Sequence, residues 1–292
     1  MVYGQRSTFN HDLSENVAYN NPSFPSYICE GRLSLYPDYT ANPHWHEDLE
    51  FIVILEGTMT YNINGQLVQL HENDGIFVNS RQLHHGFSME HEDCDFICIL
   101  LHPSLLSANL YFVQQYVEPF LRNRSNPFLI LDHGTDWHQN ILELLQDMFL
   151  ADAKKPAPFL IQRQFMQIFE LLCEHTDSIS ASTGNAADLD TVKNMILFVQ
   201  EHYQEKVMLA DIARAGSCCK SRCSTLFKTF LRESPMVYLN RYRLKSGCDL
   251  LRETNRTITE IALTCGFGGA SYFCEAFRRH YKITPREYRG RE

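Results

Sequence analysis

The sequence predicts an α+β protein with two domains. The first is a β-barrel of the jelly-roll type with a helical segment, and the second is an all-α domain with two helix-turn-helix motifs. Three observations lead to this fold class. Between about residues 25 and 101, apolar residues follow strand-like patterns. From about residue 104 the apolar spacing becomes helical. Near the C-terminus, one helix-turn-helix pattern occurs twice.

Short strands joined by turns make up the predicted barrel. The run 51–55 is typical of a buried strand. Apolar and polar residues alternate in 59–63 and again in 66–70, and Asn64-Gly65 between them is a strong signal for a hairpin turn. Further strands are predicted at Ile76–Val78 and Phe96–Leu101. Many short antiparallel strands favour a small barrel or jelly roll.

Residues 104–175 are predicted to be helical, with two apolar stripes at i, i+4, i+7 and i+11. The stripes are Trp137, Ile141, Leu144 and Met148, and Ile161, Phe165, Ile168 and Leu172. Such a stripe either packs against the barrel or forms a seam between subunits. Because two stripes exceed what one small barrel needs, we expect one to form the seam of a homodimer, which makes 104–175 a helical dimerisation segment.

Composition and charge divide the chain. Residues 176–188 are small and polar and predict a flexible linker between residues 1–175, with a barrel at 1–103, and a helical domain at 189–292. Residues 189–292 hold 18 Lys/Arg and 11 Asp/Glu, a net charge of +7, whereas residues 1–188 hold 8 and 24, a net charge of −16. This asymmetry indicates a basic module, suited to a polyanion, attached to an acidic one.

Several protein classes are not expected. No stretch approaches about eighteen apolar residues, and the N-terminal residues are polar, so we expect a cytoplasmic protein without a membrane span. Ten cysteines, including the adjacent Cys218 and Cys219, do not resemble a secreted disulfide framework. No Cys-x-x-Cys pair occurs, so structural zinc is not expected either.

The helix-turn-helix repeat is the most specific signal in the chain. Each copy contains a short apolar helix, a turn, an aromatic-rich helix, a Ser/Thr-Pro pair and a tyrosine. Ile212 and Ile261 are 49 positions apart, whereas three later pairs are each 50 apart, which one inserted residue in the turn explains. These pairs are Phe227 and Phe277, Pro235 and Pro285, and Tyr238 and Tyr288.

Cap residues mark where the helices begin. Ser234 and Pro235 predict the start of a helix that connects the two copies. This helix is predicted to bury Val237, Leu244, Cys248 and Leu251. In the second copy, Thr257 and Glu260 predict a capping box. The first copy has Met208 in the place of Thr257 and is predicted to lack the box.

The second copy carries a family resemblance. It reads Ile261-Ala262-x3-Gly266-Phe267-x3-Ser271-Tyr272-Phe273-x3-Phe277-Arg278-Arg279, then Thr284-Pro285-x2-Tyr288-Arg289. This pattern resembles the signature of the AraC/XylS transcription regulators and covers roughly the last hundred residues. The resemblance implies seven helices, two helix-turn-helix units, and double-stranded DNA and RNA polymerase as partners. The chain departs from the family at Arg232 and Lys282, where glycine is usual, and at Gly269, where a polar residue is usual.

By this resemblance, the second helix of each unit reads bases in a major groove. The expected readers are Ser221, Arg222, Ser224 and Thr225 in the first copy, and Ser271, Tyr272 and Glu275 in the second. Phosphate contacts are expected from Arg278, Arg279, Arg286, Arg289 and Arg291. We expect base discrimination to be weighted to the first helix, and backbone anchoring or polymerase contact to the second.

Two further patterns lie in the predicted barrel. His44-x-His46-x3-Glu50-x6-Gly57 resembles the first cupin motif, and Asp74-Gly75 followed by His84 resembles the second. The glycine upstream of the first motif is absent, Asn79-Ser80 replaces the proline of the second, and His85 competes with His84 as its histidine.

A period of two puts His44, His46 and Glu50 on one strand face. Such a group either holds a divalent metal, lines an effector pocket, or is structural. We expect the effector pocket, lined by His44, Trp45, His46, Glu50 and His84, with a sugar or another polar metabolite as ligand and no cofactor.

Together these patterns predict a dimeric transcription regulator, of the activator type, and not an enzyme. Binding of the effector in the barrel would change the dimer or the linker and so the DNA sites engaged. Two alternatives remain. One is a metal-dependent cupin enzyme fused to a DNA-binding module, and the other is a constitutive DNA-binding protein whose barrel only dimerises.

Overall fold

The computed structural model describes residues 8–9, 14–123, 125–176 and 186–290. The chain divides into two compact units, residues 1–186 and 187–292. Most of the predicted linker, residues 177–185, lies outside the described residues. Residues 186–188, at its end, are not linker but the first turn of a helix.

Antiparallel pairing organises the strands of the first unit. In its described residues the strands are β1 (Thr8–Phe9), β2 (Glu15–Asn16), β3 (Ser26–Arg32), β4 (Leu49–Gly57), β5 (Met59–Ile63), β6 (Gln66–Leu70), β7 (Gly75–Val78), β8 (His84–Phe87), β9 (Cys94–Leu101) and β10 (Phe128–Leu131). One sheet has the order β10-β7-β4-β9-β3, a second has the order β6-β5-β8, and β1 pairs with β2. This sheet-rich unit followed by an all-α unit confirms the predicted fold class.

The predicted hairpin connects β5 and β6. Asn64 and Gly65 have φ values of 51° and 84°, and a two-residue type I′ turn needs positive φ at both central positions. The Asn62 side chain accepts a hydrogen bond of 2.8 Å from the Gly65 N–H. The turn therefore fixes the register that places Tyr61 and Ile63 in the barrel interior.

Strand β4 is covered on both faces. Ile52 and Ile54 belong to the apolar cluster inside the barrel, whereas Phe51 and Val53 pack against helices outside it. A strand that is buried on both faces has a nearly continuous apolar sequence. Glu50 interrupts this run on the interior face and is only 2% exposed.

Helices cover the outer face of the large sheet. They are α1 (Leu110–Phe112), α2 (Glu118–Arg122), α3 (Asp136–Asp152) and α4 (Pro158–Thr176), with a π-helical turn at Val113–Val117. Residues 104–175 are thus not helical throughout, because Phe128–Leu131 pairs with β7 and forms the edge strand of the large sheet. An apolar run of four residues gives no period that distinguishes a strand from a helix.

Both predicted stripes are packed inside the first unit. Ile161, Phe165, Ile168 and Leu172 are at most 1% exposed and share a core with Phe51. Ile141 and Met148 of the other stripe are fully buried there as well. The assignment of a stripe to a dimer seam is therefore wrong, because the outer face of the sheet already covers both.

The second unit has the seven helices that the resemblance implies, counted in its described residues. They are α5 (Ala186–His202), α6 (Leu209–Ala215), α7 (Lys220–Leu231), α8 (Pro235–Glu253), α9 (Ile258–Thr264), α10 (Ala270–Tyr281) and α11 (Pro285–Arg289). Helices α6 and α7 form the first helix-turn-helix, and α9 and α10 form the second. The predicted caps are present, since Ser234 accepts from the Val237 N–H at 3.3 Å and Thr257 forms its capping box with Glu260.

Helix α8 connects the two copies through different faces. Tyr238 packs edge-to-face on Phe227 of the first copy, whereas Leu244 and Cys248 join the core of the second copy. Val237, which was predicted to be buried, is 53% exposed. A single apolar stripe cannot describe a helix whose two ends face different neighbours.

The two departures from glycine occur at left-handed helix ends. Arg232 and Lys282 have φ values of 61° and 60° and end α7 and α10. The family's glycine geometry is therefore kept by residues with a Cβ. An L-residue in this conformation costs roughly 1–2 kcal/mol.

Lys282→Gly is expected to raise the free energy of unfolding of the second unit by about 0.5–1 kcal/mol. Glycine avoids the left-handed penalty, but it loses more backbone entropy on folding, which offsets about 0.5–1 kcal/mol of the gain. Urea denaturation followed by circular dichroism measures the change. The control is Lys228→Gly within helix α7, which should destabilise by about 1 kcal/mol. Destabilisation at both positions would contradict the expectation.

Candidate DNA-binding helices and a buried histidine–glutamate cluster

Three histidines meet one glutamate inside the barrel. His44 and His46 precede β4, which supplies Glu50, and His84 begins β8. Main-chain hydrogen bonds of 3.1 and 2.9 Å join His44 and His84 as an antiparallel bridge. We call His44, His46, Glu50 and His84 the histidine–glutamate cluster.

Glu50 is the centre of this cluster. Its Oε2 lies 3.1 Å from Nε2 of His46 and 3.2 Å from Nε2 of His84, and its Oε1 accepts a hydrogen bond from the Tyr61 hydroxyl. Burial alone would raise the pKa of Glu50, but the neighbouring imidazoles His84 and His46 outweigh it and hold the pKa well below its ordinary range. Glu50 is therefore a buried carboxylate.

His46 is held as an imidazolium. Its Nδ1 donates to the carbonyl oxygen of Asp48 at 3.1 Å, while its Nε2 faces the Glu50 carboxylate. Because both ring nitrogens face acceptors, both carry hydrogens. Burial would lower the pKa of His46, but the hydrogen bond and charge of Glu50 raise it.

His84 has one nitrogen that is not used. Its Nδ1 donates to the carbonyl oxygen of Gln82 at 2.9 Å. Its Nε2 is near Glu50 but makes no hydrogen bond of good geometry, although the residue is only 1% exposed. A buried nitrogen in this state is suited to an additional partner.

His44 stands at the margin of the cluster. Its Nε2 lies 3.3 Å from Glu15 on β2. Burial lowers the pKa of His44 to about 4, against the opposing charge of Glu15. His44 is therefore neutral near pH 7, and it offers a different hydrogen-bonding character from His46.

The structure brings together four of the five predicted effector residues. It selects His84, because His85 on the same strand packs instead against Phe87. Trp45 lies between two cluster members, and its carbonyl oxygen accepts from the Glu15 N–H at 2.8 Å.

Sequence reasoning missed three neighbours of the cluster. The two-residue period of a strand could have predicted Asp48, which lies between His46 and Glu50 and shares their face. It could also have predicted Tyr61, which points inward from β5. Asp48 is buried and accepts from the Tyr19 hydroxyl at 2.9 Å. Glu15 had no signal, because its contact with the cluster joins distant parts of the chain.

The cluster also has the donor set of a metal site. One ligand atom from each member lies within 4.8 Å of the others. Three imidazoles and a carboxylate suit a divalent transition metal, and the unused Nε2 of His84 fits that use. His46 would have to release its Nε2 proton first, because a metal ligand needs the lone pair.

Helix α7 presents the predicted readers of the first copy. Cys223, Leu226 and Phe227 are buried against the core. Ser221, Arg222 and Thr225 are exposed, and Ser224 is half-buried.

The first copy also keeps half of a capping box, because Asp211 accepts from the Met208 N–H at 3.0 Å. The prediction that it lacks the box is therefore correct only for the Met208 side chain.

Arg222 has an acidic partner within the same unit. Its guanidinium donates to Oδ1 of Asp188 in the first turn of α5, at 2.5 Å. The Arg222 side chain remains 49% exposed, so it is accessible despite this ion pair.

Helix α10 presents a surface with charges of both signs. Its predicted residues Ser271, Tyr272, Glu275, Arg278 and Arg279 are exposed. Glu275 pairs with Arg279 at 2.8 Å, and the Tyr272 hydroxyl lies 3.4 Å from the Asn240 amide.

Three other arginines, Arg286, Arg289 and Arg291, were also predicted to contact phosphate, and Arg286 is exposed. Arg289 donates at 2.7 Å to the Arg256 carbonyl and at 3.3 Å to that of Leu251, so it secures the end of α8. Arg291 lies outside the described residues.

None of the helices in the described ranges combines the length and the apolar character needed to cross a bilayer.

Comparison with known proteins agrees with both domains. Residues 212–291 match a helix-turn-helix domain family, and residues 31–100 match the cupin domain family. The chain is 30% identical over 249 residues to the uncharacterized HTH-type transcriptional regulator YdeC of Bacillus subtilis, covering 84% of this chain and 85% of YdeC. It is 28% identical to the HTH-type transcriptional activator RhaS of Salmonella schwarzengrund, covering 86% and 89%.

A solved structure is similar to about a third of the chain. It is a transcriptional regulator with an AraC-type DNA-binding domain from Chromobacterium violaceum, 30% identical, with a TM-score of 0.35 and coverage of 36% of this chain and 95% of that one. The relatives that match most of the chain and the two domain matches, together with the repeated helix-turn-helix geometry, establish that the chain belongs to the AraC/XylS family of DNA-binding transcription regulators, with an N-terminal cupin domain.

Proposed function

We propose that the cupin barrel of this regulator senses a small polar effector and does not catalyse a reaction. The observation that carries this proposal is the unused Nε2 of His84, buried beside the charged pair of His46 and Glu50. A buried polar group without a well-formed hydrogen bond costs up to about 1–3 kcal/mol. A ligand that supplies the missing hydrogen bond recovers that cost on binding.

The ligand should carry hydroxyl groups. His84 offers Nε2, which lacks a well-aligned hydrogen bond, Glu50 offers carboxylate oxygens, and the half-buried Trp45 precedes His46 in the chain. Hydroxyl groups donate and accept, so they suit this mixture, and apolar sugar faces pack on aromatic rings. We propose a sugar or another polar metabolite, contacted by His44, Trp45, His46, Glu50 and His84.

A thermal-shift screen of the full-length protein tests this proposal. Sugars, other polar metabolites and divalent metals are added separately. The expected result is a rise in the melting temperature with a polyhydroxy compound, since a ligand that binds only the folded state stabilises it. The shift should disappear in His84→Phe and persist in the matched control His71→Phe, an exposed position. A shift that persists in His84→Phe would contradict the site.

A metal-dependent enzyme fused to the DNA-binding module is the second candidate, because the cluster has a complete donor set. It predicts metal in stoichiometric amounts after purification in metal-replete medium. Elemental analysis that finds none, with the cluster intact, would remove this candidate.

We propose that the exposed residues of α7 and α10 read DNA unequally. Arg222→Ala should cost about 1–3 kcal/mol on the specific site and relax its specificity. Arg278→Ala should weaken specific and non-specific binding alike and reduce the salt dependence. Gel shifts with a fragment of the protein's own promoter region and with unrelated DNA measure both. Identical changes in the two variants would contradict the division of roles.

The ion pair with Asp188 should restrain Arg222. Asp188→Asn is expected to tighten DNA binding by up to about fivefold at low salt, since an ion pair with a half-exposed arginine contributes up to about 1 kcal/mol. Glu253→Gln removes the same charge from an exposed position in the same unit and is the control. Weaker binding by Asp188→Asn would mean that Asp188 positions Arg222 for recognition.

We also propose that the regulator acts as a homodimer, contacts RNA polymerase and works in the cytoplasm, where its DNA is. The exposed apolar side chains Leu110, Tyr111 and Phe159, which are 70%, 68% and 93% exposed, support an association surface on the helical segment. Sedimentation of the full-length protein and of Phe159→Ser tests the dimer.

A further inference from the structure

Two cysteines occupy directly opposed positions in the barrel. Cys29 on the edge strand β3 and Cys98 on β9 are register partners in the antiparallel ladder. Opposed residues point to the same face, with Cα atoms about 4.5 or 5.5 Å apart according to the hydrogen-bonding pattern. Both separations lie within the range of disulfides, about 4.4–6.8 Å. In the structure both cysteines are free thiols.

This thiol pair of Cys29 and Cys98 borders the histidine–glutamate cluster. Cys98 packs against the apolar cluster inside the barrel. Its register partner on β4 is Ile52, and Glu50 lies two residues away on the same face of that strand. Both cysteines are half-buried residues.

The two thiols influence each other unequally. The hydrogen bond from Cys98 is the largest effect on the pKa of Cys29 and lowers it. The same contact, together with burial, raises the pKa of Cys98 well above its ordinary range. Because the thiolate is the reactive form, Cys29 is the first nucleophile and Cys98 the resolving thiol.

We propose that Cys29 and Cys98 are a redox-responsive pair that a peroxide converts to a disulfide. The Cys29 thiolate attacks one oxygen of hydrogen peroxide, the O–O bond breaks, and hydroxide leaves and takes up a proton as water. The sulfur of Cys98 then attacks the resulting sulfenic acid, the S–O bond breaks, and a second water leaves with the proton of Cys98. The two thiols lose two electrons and the peroxide gains them. A dithiol reductant reverses the reaction.

The bond would join the edge strand β3 covalently to β9, next to the ligand cluster. Oxidation is therefore expected to alter the response to the effector, and this consequence rests on the proposed function. Formation of the disulfide itself does not rest on the proposed function, because its detection requires neither effector nor DNA.

Mass spectrometry of the full-length protein tests the proposal. The protein is treated with an equimolar amount of hydrogen peroxide, blocked with N-ethylmaleimide and digested with trypsin without reduction. The expected product joins the peptides 7–32 and 82–122. It should appear in the wild type and in Cys94→Ser, which removes the other cysteine of the second peptide, and disappear in Cys29→Ser and Cys98→Ser. Dithiothreitol should separate the peptides.

The exposed Cys219 is an internal measure of oxidation. The proposal is overturned if Cys29 and Cys98 are both recovered as maleimide adducts under conditions that oxidise Cys219, or if the linked peptides persist in Cys98→Ser. Tandem mass spectra of the wild-type product distinguish Cys94 from Cys98 directly, so the test also stands if a serine variant fails to fold.

Discussion

Glu50→Ala is expected to lower the free energy of unfolding of the first unit by about 3–5 kcal/mol, the usual cost of removing one partner from a buried ion pair. The change leaves the charged His46 without its carboxylate and the Tyr61 hydroxyl without its acceptor. Both tryptophans, Trp45 and Trp137, lie in this unit, so their fluorescence during guanidinium denaturation reports its unfolding. Glu47→Gln is the control.

Glu47 pairs with Arg81 on the surface, where both side chains are about half exposed or more. Its loss should change stability by less than about 1 kcal/mol. Equal losses at Glu47 and Glu50 would mean that the carboxylate inside the barrel is not the centre of its polar network.

The buried ion pair of His46 and Glu50 should give the first unit a stability maximum in mildly acidic solution. The pKa of Glu50 is held below its ordinary value of 4.5, so its contribution is present above about pH 4.5 and is lost as the pH falls through the folded pKa. The pKa of His46 is raised above 6.5, so its contribution is complete below about pH 6.5 and is lost as the pH rises through the folded pKa. Denaturation midpoints of Glu50→Gln across this range should vary less than those of the wild type.

Gly266→Ala is expected to destabilise the second helix-turn-helix by about 3 kcal/mol or more and to abolish specific DNA binding. Gly266 has a φ of 76°, and an added Cβ would lie 2.4 Å from the carbonyl oxygen of Tyr203. A left-handed alanine costs roughly 1–2 kcal/mol, and overpacking adds about 1–3 kcal/mol. Because the neighbouring atoms are main-chain atoms, they cannot rotate away.

Gly268→Ala is the matched control, since an added Cβ there meets nothing within 4 Å. Circular dichroism should show an earlier helical transition for Gly266→Ala alone, while the tryptophan transition of the first unit stays in place. If both variants keep wild-type DNA affinity, the turn at Gly266 does not hold the reading helix in position.

The helix-turn-helix domain could be predicted almost completely, because its signals are local. The capping box of Thr257 and Glu260, the turn at Gly266 and the paired prolines each constrain a few consecutive residues. The hairpin at Asn64-Gly65 was predictable for the same reason. Helix α8 was only partly predictable, because its neighbours change along its length and Val237 therefore faces solvent.

The site inside the barrel could be predicted in part. His44, His46 and Glu50 could be placed on one strand face, because they are separated by two and four residues along the chain. The choice of His84 over His85 needed the pairing of β8 with β5, and the contact of His44 with Glu15 needed the fold of the N-terminal residues.

The sequence by itself determined the two-domain order, the repeated reading unit and the residue types of the cluster, because spacing, caps and strand alternation act within a few residues. The tertiary structure decided which surfaces remain available. It buried both apolar stripes under the sheet, paired Arg222 with Asp188, and brought Cys29 opposite Cys98. Each of these contacts joins residues more than thirty positions apart or depends on strand order, and no local sequence pattern specifies such long-range contacts.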